Sequence, residues 1–173
     1  QDGAYWGLAP MEVATAWVAL GPVTVENGCM RMIPGSHQRP RLPQRDTWAE
    51  NNALSRGQEI AVAVDESKAV DLVLQPGQMS LHHLWIVHGS NANRSQEPRI
   101  GIAIRYVAPC VRQDGGNKPL AMRVRGRDTH GHFTLAESPT DPHARAGAGR
   151  HAEILQRVHQ ALLAGKAAMP TTP

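Results

Sequence analysis

Short runs of β-forming residues, set apart by glycine, proline and asparagine, constrain this chain more than any other feature. They fall at 13–20, 30–33, 60–64, 71–74, 79–87, 100–107 and 132–135, each about the length of one strand. Glu26-Asn27-Gly28 and Gln75-Pro76-Gly77 are the clearest turns, because Asn-Gly accepts positive φ and Pro-Gly presets a bend. Many short strands with such punctuation close into a sandwich or barrel. At 173 residues the chain can bury one such core but not two.

Two stretches break the pattern. The polar segment 38–57, with Pro40 and Pro43 and no sustained periodicity, reads as a long excursion with at most a short helix; excursions of that length serve as lids or binding loops. From His151 onward Ile154, Leu155, Val158, Leu162 and Leu163 recur at helical spacing, with Gly165 as a stop, which predicts a C-terminal helix. We therefore divide the chain into a β domain over 1–145 and a helix and tail over 146–173.

Several function classes drop out. The net charge is only +3, with the arginines scattered, so no nucleic-acid surface is expected. No stretch approaches the roughly 18 apolar residues of a membrane helix. Cys29 and Cys110 lie far apart and form no C-x-x-C pair, which argues against a zinc knuckle or disulfide framework and suits a reducing cytoplasm. A small-molecule partner is the expectation, with the oligomeric state left open.

The stretch most directly tied to chemistry is His88-Gly89-Ser90-Asn91-Ala92-Asn93-Arg94-Ser95-Gln96-Glu97-Pro98-Arg99, a histidine-bearing turn joined to an arginine on the next strand. Mononuclear iron oxygenases hold the metal with two histidines and one carboxylate on one face, leaving positions open for cosubstrate and oxygen. A dicarboxylate cosubstrate chelating through its keto-acid end needs a cation for its far carboxylate, and an arginine fork supplies two parallel hydrogen bonds. Arg99 suits that task, and Ser90 adds a donor. His82 and His83 are rivals to His88, aimed by alternation at opposite faces; Arg105 shares parity with Arg99. The pair His130 and His132 lacks a nearby carboxylate or cysteine and reads as structural.

These residues resemble the distal-histidine and 2-oxoglutarate motif of phytanoyl-CoA hydroxylase-like oxygenases. The opening Gln1-Asp2-Gly3-Ala4-Tyr5-Trp6 is similar to the same family's proximal His-Gln-Asp motif without its histidine, and Asn27-Gly28-Cys29 with Pro34-Gly35-Ser36-His37 resembles its Asn-Gly-Cys and Pro-Gly-Ser-His signature. The resemblance runs to about Phe133. It implies a mainly β, double-stranded β-helix (jelly roll), incomplete at its N-terminus, in a chain that starts one residue inside the first metal motif. It implies Fe(II), 2-oxoglutarate and O2, with Asp2 and His88 as metal ligands and Arg99 on the far carboxylate of the cosubstrate. Gln1, Trp17 and Ser90 would help hold that cosubstrate, and Trp6 and His37 would face the substrate.

The activity so implied is hydroxylation of a small organic substrate with release of succinate and CO2. Related halogenating enzymes carry Gly or Ala in place of the carboxylate, so Asp2 favours hydroxylation. A chain starting at Gln1 is expected to be weakly active or inactive. The rival readings are a catalytically silent jelly-roll binding module and a cupin-like metal enzyme that does not use 2-oxoglutarate.

Overall fold

The computed structural model describes residues 1–39, 41–48, 57–116 and 118–136, together with 152, 155 and 156. Apart from those last three positions, the C-terminal helix expected from His151 lies outside the described residues. Two units are distinguished: Gln1–Ala4 with Glu12–Val107, and Tyr5–Met11 with the chain from Ala108 onward. Strands are numbered along the chain: β1 (Leu8–Ala9), β2 (Val13–Ala19), β3 (Met30–Met32), β4 (Gln44–Asp46), β5 (Gln58–Ile60), β6 (Val70–Asp71), β7 (Met79–His83), β8 (His88–Ser90), β9 (Gly101–Val107), β10 (Arg112–Gln113), β11 (Leu120–Met122) and β12 (Thr134–Ala136).

The first unit is a jelly roll built on two antiparallel sheets, β7-β2-β9 and β6-β3-β8, with a small β4-β5 hairpin beside them. β2 is central in its sheet, with Thr15 opposite His82 on one side and Arg105 on the other, and Trp17 opposite Ser80 and Ala103. Directly paired residues share a face, so Thr15, Trp17, Ser80, His82, Ala103 and Arg105 all project to one side. On the other side Met79, Leu81, Ile102, Ile104 and Tyr106 remain 41–65% exposed, which leaves an apolar outer face open to solvent. The buried cluster is Ala19, Val23 and Cys29, with Trp17 and Leu74 packed against it. Burial, followed by the charge of Asp71, pushes the Cys29 thiol pKa up.

The turns are clamped by side chains. Asn27 Oδ1 accepts from Thr24 N (2.8 Å), and Asn27 Nδ2 donates to the carbonyl of Pro22 (2.8 Å). The Asn27-Gly28 corner is thereby fixed without further secondary structure. The second unit contains the antiparallel pair β1-β10 and the parallel pair β11-β12, with Val111 fully buried.

The structure corrects several expectations. The excursion 38–57 holds a strand, β4, where only a short helix was expected; its pairing with β5 rests on a cross-strand ion pair, Arg45 to Glu59 at 3.0 Å, not on apolar alternation. The expected strand 60–64 is displaced to Gln58–Ile60. The expected strand 79–87 breaks at Leu84-Trp85, where Ile86 N donates to the carbonyl of His83 (3.0 Å) and Trp85 N donates to His83 Nδ1 (3.1 Å). The histidine-bearing segment after it is a strand, β8, and not a turn.

Candidate metal and cosubstrate site

Asp2 sits at the start of a single helical turn, Gly3–Trp6. Gly3 N donates to the carbonyl of Leu84 (3.1 Å), and a Cβ on Gly3 would lie 1.8 Å from Leu84 Cδ1. Only glycine permits this approach, which sets the height of Asp2 in the unit. Gln1, 7% exposed, clips the same segment in place: its Nε2 donates to the carbonyl of Trp85 (3.0 Å) and its Oε1 accepts from Leu42 N (2.9 Å). Both ends of the Gln1 amide are thus engaged with backbone.

His88 opens β8, held from behind by the Pro-Gly-Ser-His segment. The buried Ser36 hydroxyl accepts from Val87 N at 2.8 Å, and Ile33 N donates to the carbonyl of Val87 at 3.0 Å. The imidazole is oriented by its own neighbour, since His88 Nδ1 lies 3.1 Å from the carbonyl of Ile86. A carbonyl only accepts, so Nδ1 carries a proton and Nε2 is the nitrogen turned away from it. Nε2 lies 3.4 Å from Asp2 Oδ1, with both side chains largely buried. A carboxylate and an imidazole nitrogen at this distance are joined either by a proton on Nε2 or by a cation that both ligate. A divalent metal fits, and a backbone carbonyl fixing the far ring nitrogen is the usual support of a metal-bound histidine.

Among the described residues no group of three His, Cys, Asp or Glu side chains is arranged to hold a metal. In a facial site of three ligands, Asp2 and His88 would account for one carboxylate and one imidazole. The ring of His82 lies 5.8 Å from that of His88, centroid to centroid. Burial first, then the charges of His88 and Arg105, lowers the His82 pKa, while Asp2 opposes the shift.

Beside this pair lies a second set. Arg99 Nη1 donates to Ser90 Oγ (3.1 Å), and the guanidinium stands 5.7 Å from the centroid of the Trp17 ring, a stacking that suits arginine. The indole fits because Gly101 has no side chain: a Cβ there would lie 2.2 Å from Trp17 Cζ2. The loop that delivers Arg99 is braced internally. Asn93 Oδ1 accepts from Ser95 N (2.8 Å), and Asn93 Nδ2 donates to the carbonyl of Glu97 (2.8 Å).

The other named residues have contacts of their own. His37 packs against His83 at 5.7 Å, with His83 on the face opposite His82. Trp6 belongs to the second unit, where its carbonyl accepts from Gln113 Nε2 at 3.4 Å. Thr15, which shares a face with Trp17 on β2, is 3% exposed, and among the described residues its hydroxyl has no hydrogen-bond partner. Strand parity with Trp17 is the sequence signal that places the two on one face.

Fold and comparison together place the chain in the class of jelly-roll, non-haem oxygenases. Residues 1–101 match the model of the phytanoyl-CoA dioxygenase (PhyH) family, and the chain belongs to that family. It is 30% identical over 107 residues to peroxisomal phytanoyl-CoA dioxygenase of Rattus norvegicus, covering 61% of this chain and 32% of the relative. A solved non-heme monooxygenase, ThoJ in its apo form, superposes with a TM-score of 0.82 at 34% identity over 98% of this chain and 61% of that one. EvdO2 from Micromonospora carbonacea var. aurantiaca, complexed with 2-oxoglutarate, gives a TM-score of 0.51 at 29% identity, covering 61% of this chain and 42% of its own. The chain spans about a third of the length of the curated relatives it matches.

Proposed function

We propose that the protein is an Fe(II)- and 2-oxoglutarate-dependent dioxygenase that hydroxylates a small organic substrate and releases succinate and CO2. The observation that carries this reading is His88 Nε2 facing the Asp2 carboxylate at 3.4 Å, together with an arginine seated on a hydroxyl and an indole. Asp2 and His88 hold the metal. Bound iron with 2-oxoglutarate supplies the oxidising power for hydrogen removal and hydroxyl return.

The chain's own residues position and shield. Arg99 takes the far carboxylate of 2-oxoglutarate, with Ser90 oriented toward it and the Trp17 ring excluding water from one side. Gln1 acts on the cosubstrate indirectly, by fixing the segment that carries Asp2. Trp6 and His37 stay as candidate substrate contacts. We place the protein in the cytoplasm, where cysteines such as Cys29 and Cys110 stay reduced. Among the described residues no helix is long and apolar enough to cross a membrane.

The test uses the full-length protein with Fe(II), oxygen and 2-oxoglutarate, reading succinate by NMR and iron binding by titration. Asp2→Ala and His88→Ala should each abolish iron-dependent succinate formation, while His83→Ala retains it. Succinate formation that survives His88→Ala would reject the ligand assignment.

A further inference from the structure

The antiparallel pair β3-β8 sets Met30 opposite Ser90, so the residues before β3 and those after β8 leave the sheet at the same end. On one side is the corner Glu26-Asn27-Gly28; on the other is the loop that runs from Asn91 to Arg99. The two meet through backbone. Arg94 N donates to the carbonyl of Glu26 (2.8 Å), and a Cβ on Gly28 would lie 2.7 Å from the carbonyl oxygen of Asn91 and 3.3 Å from Asn93 N. Only glycine permits that approach. A positive φ does not by itself bring it about: Gly77 has φ +83° against +77° for Gly28, yet an added Cβ there meets nothing within 4 Å. The corner is also firmly anchored. Asn27 is 4% exposed, its side chain bonds to Thr24 N and the Pro22 carbonyl, and its own N–H donates to Thr24 Oγ1 (3.2 Å). Beyond the contact, the Asn93 side chain bonds to Ser95 and Glu97, which carries the support to within two residues of Arg99.

We propose that the Glu26-Asn27-Gly28 corner is a positioning element for the cosubstrate: it seats the 91–99 loop by direct backbone contact and so sets where the Arg99 guanidinium meets the far carboxylate of 2-oxoglutarate. This rests on the oxygenase reading given above, and it gives the corner a task within that site. An arginine fork holds a carboxylate through two parallel hydrogen bonds, so a shift of the backbone that carries it loses one or both. The head of Arg99 rests on Ser90 and Trp17, but its backbone belongs to the loop, outside β9. A methyl group added at position 28 presses on Asn91 and Asn93. It leaves the register of β8 on β3, and with it the place of His88 opposite Met32, as before. Metal binding and cosubstrate binding therefore respond separately to the corner.

The experiment uses the full-length protein loaded with zinc in place of iron. It reads 2-oxoglutarate binding by calorimetry, zinc affinity against a competing chelator, and amide exchange at Arg94. Gly28→Ala should weaken 2-oxoglutarate about tenfold, leave zinc affinity unchanged and speed exchange at Arg94. Gly77→Ala puts a side chain on the same kind of backbone without touching the loop, so it should bind 2-oxoglutarate like the parent. In an Arg99→Ala background Gly28→Ala should cause no further loss, because the loop then carries no cation to misplace. Thr24→Val is close in shape and removes the acceptor of the Asn27 N–H; a loss of about threefold is expected, and this variant decides the matter if circular dichroism shows Gly28→Ala unfolded. Parent-like affinity in folded Gly28→Ala, or in Thr24→Val where that variant decides, overturns the proposal. So does an equal loss in Gly77→Ala, or a further tenfold loss in the Arg99→Ala background. A parent that binds no 2-oxoglutarate overturns the oxygenase reading and the positioning with it, whereas a parent and a Gly28→Ala variant that bind it equally overturn the positioning alone.

Discussion

Gly101 underlies the proposed cosubstrate seat, because the Trp17 indole occupies the space where a side chain would be. Gly101→Ala forces the ring to move, and with it the surface on which the Arg99 guanidinium rests. We expect that variant to bind 2-oxoglutarate about tenfold more weakly, on the scale of one stacking or charge-assisted contact. Gly21→Ala, where an added Cβ meets nothing within 4 Å, should bind it as before. Equal affinities in the two variants would dismiss the seat. At this scale the sequence was informative about residue types: the spacing from His88 to Arg99 singled out a histidine, a serine and an arginine. It was silent on what fixes them, because a hydroxyl such as that of Ser36 and a missing side chain such as that of Gly101 leave no periodic trace.

Among the elements, β8 owes its place to β3 and to Ser36. Its register sets His88 opposite Met32 and Ser90 opposite Met30, and the Ser36 hydroxyl ties the residue just before His88. Ser36→Ala leaves the Val87 N–H buried without a partner, which costs about 1–3 kcal/mol. For a chain of this size that corresponds to a Tm lowered by roughly 3–10 °C, measurable by thermal denaturation; an unchanged Tm would mean the bond contributes nothing. The long strands were legible. Val13–Ala19 and Gly101–Val107 fall within a residue of the expected runs, since both carry β-branched and aromatic residues between clear turns. The break at Leu84-Trp85 was not, because no glycine or proline marks it and a histidine ring supplies the acceptor that steadies it. Nor was Gln44–Asp46, where a charge pair does what apolar alternation does elsewhere.

At the scale of the first unit, one face of the β7-β2-β9 sheet is exposed among the described residues. Met79, Leu81, Ile102, Ile104 and Tyr106 stand together on adjoining strands, and a contiguous apolar patch of this kind favours association. Leu81 and Ile104 flank Ala16 in a single cross-strand row, so Leu81→Lys with Ile104→Lys interrupts the patch at its middle. We expect the double variant to stay dispersed at concentrations where the parent chain associates, as read by light scattering. Identical scattering from both would mean the face plays no part. In a living cell the same surface has another reader. Chaperones and quality-control proteases recognise exposed hydrocarbon, not lost activity, so a correctly folded copy with this face uncovered carries the mark of an unfinished one. Whatever covers the sheet would then also decide how long such a copy lasts.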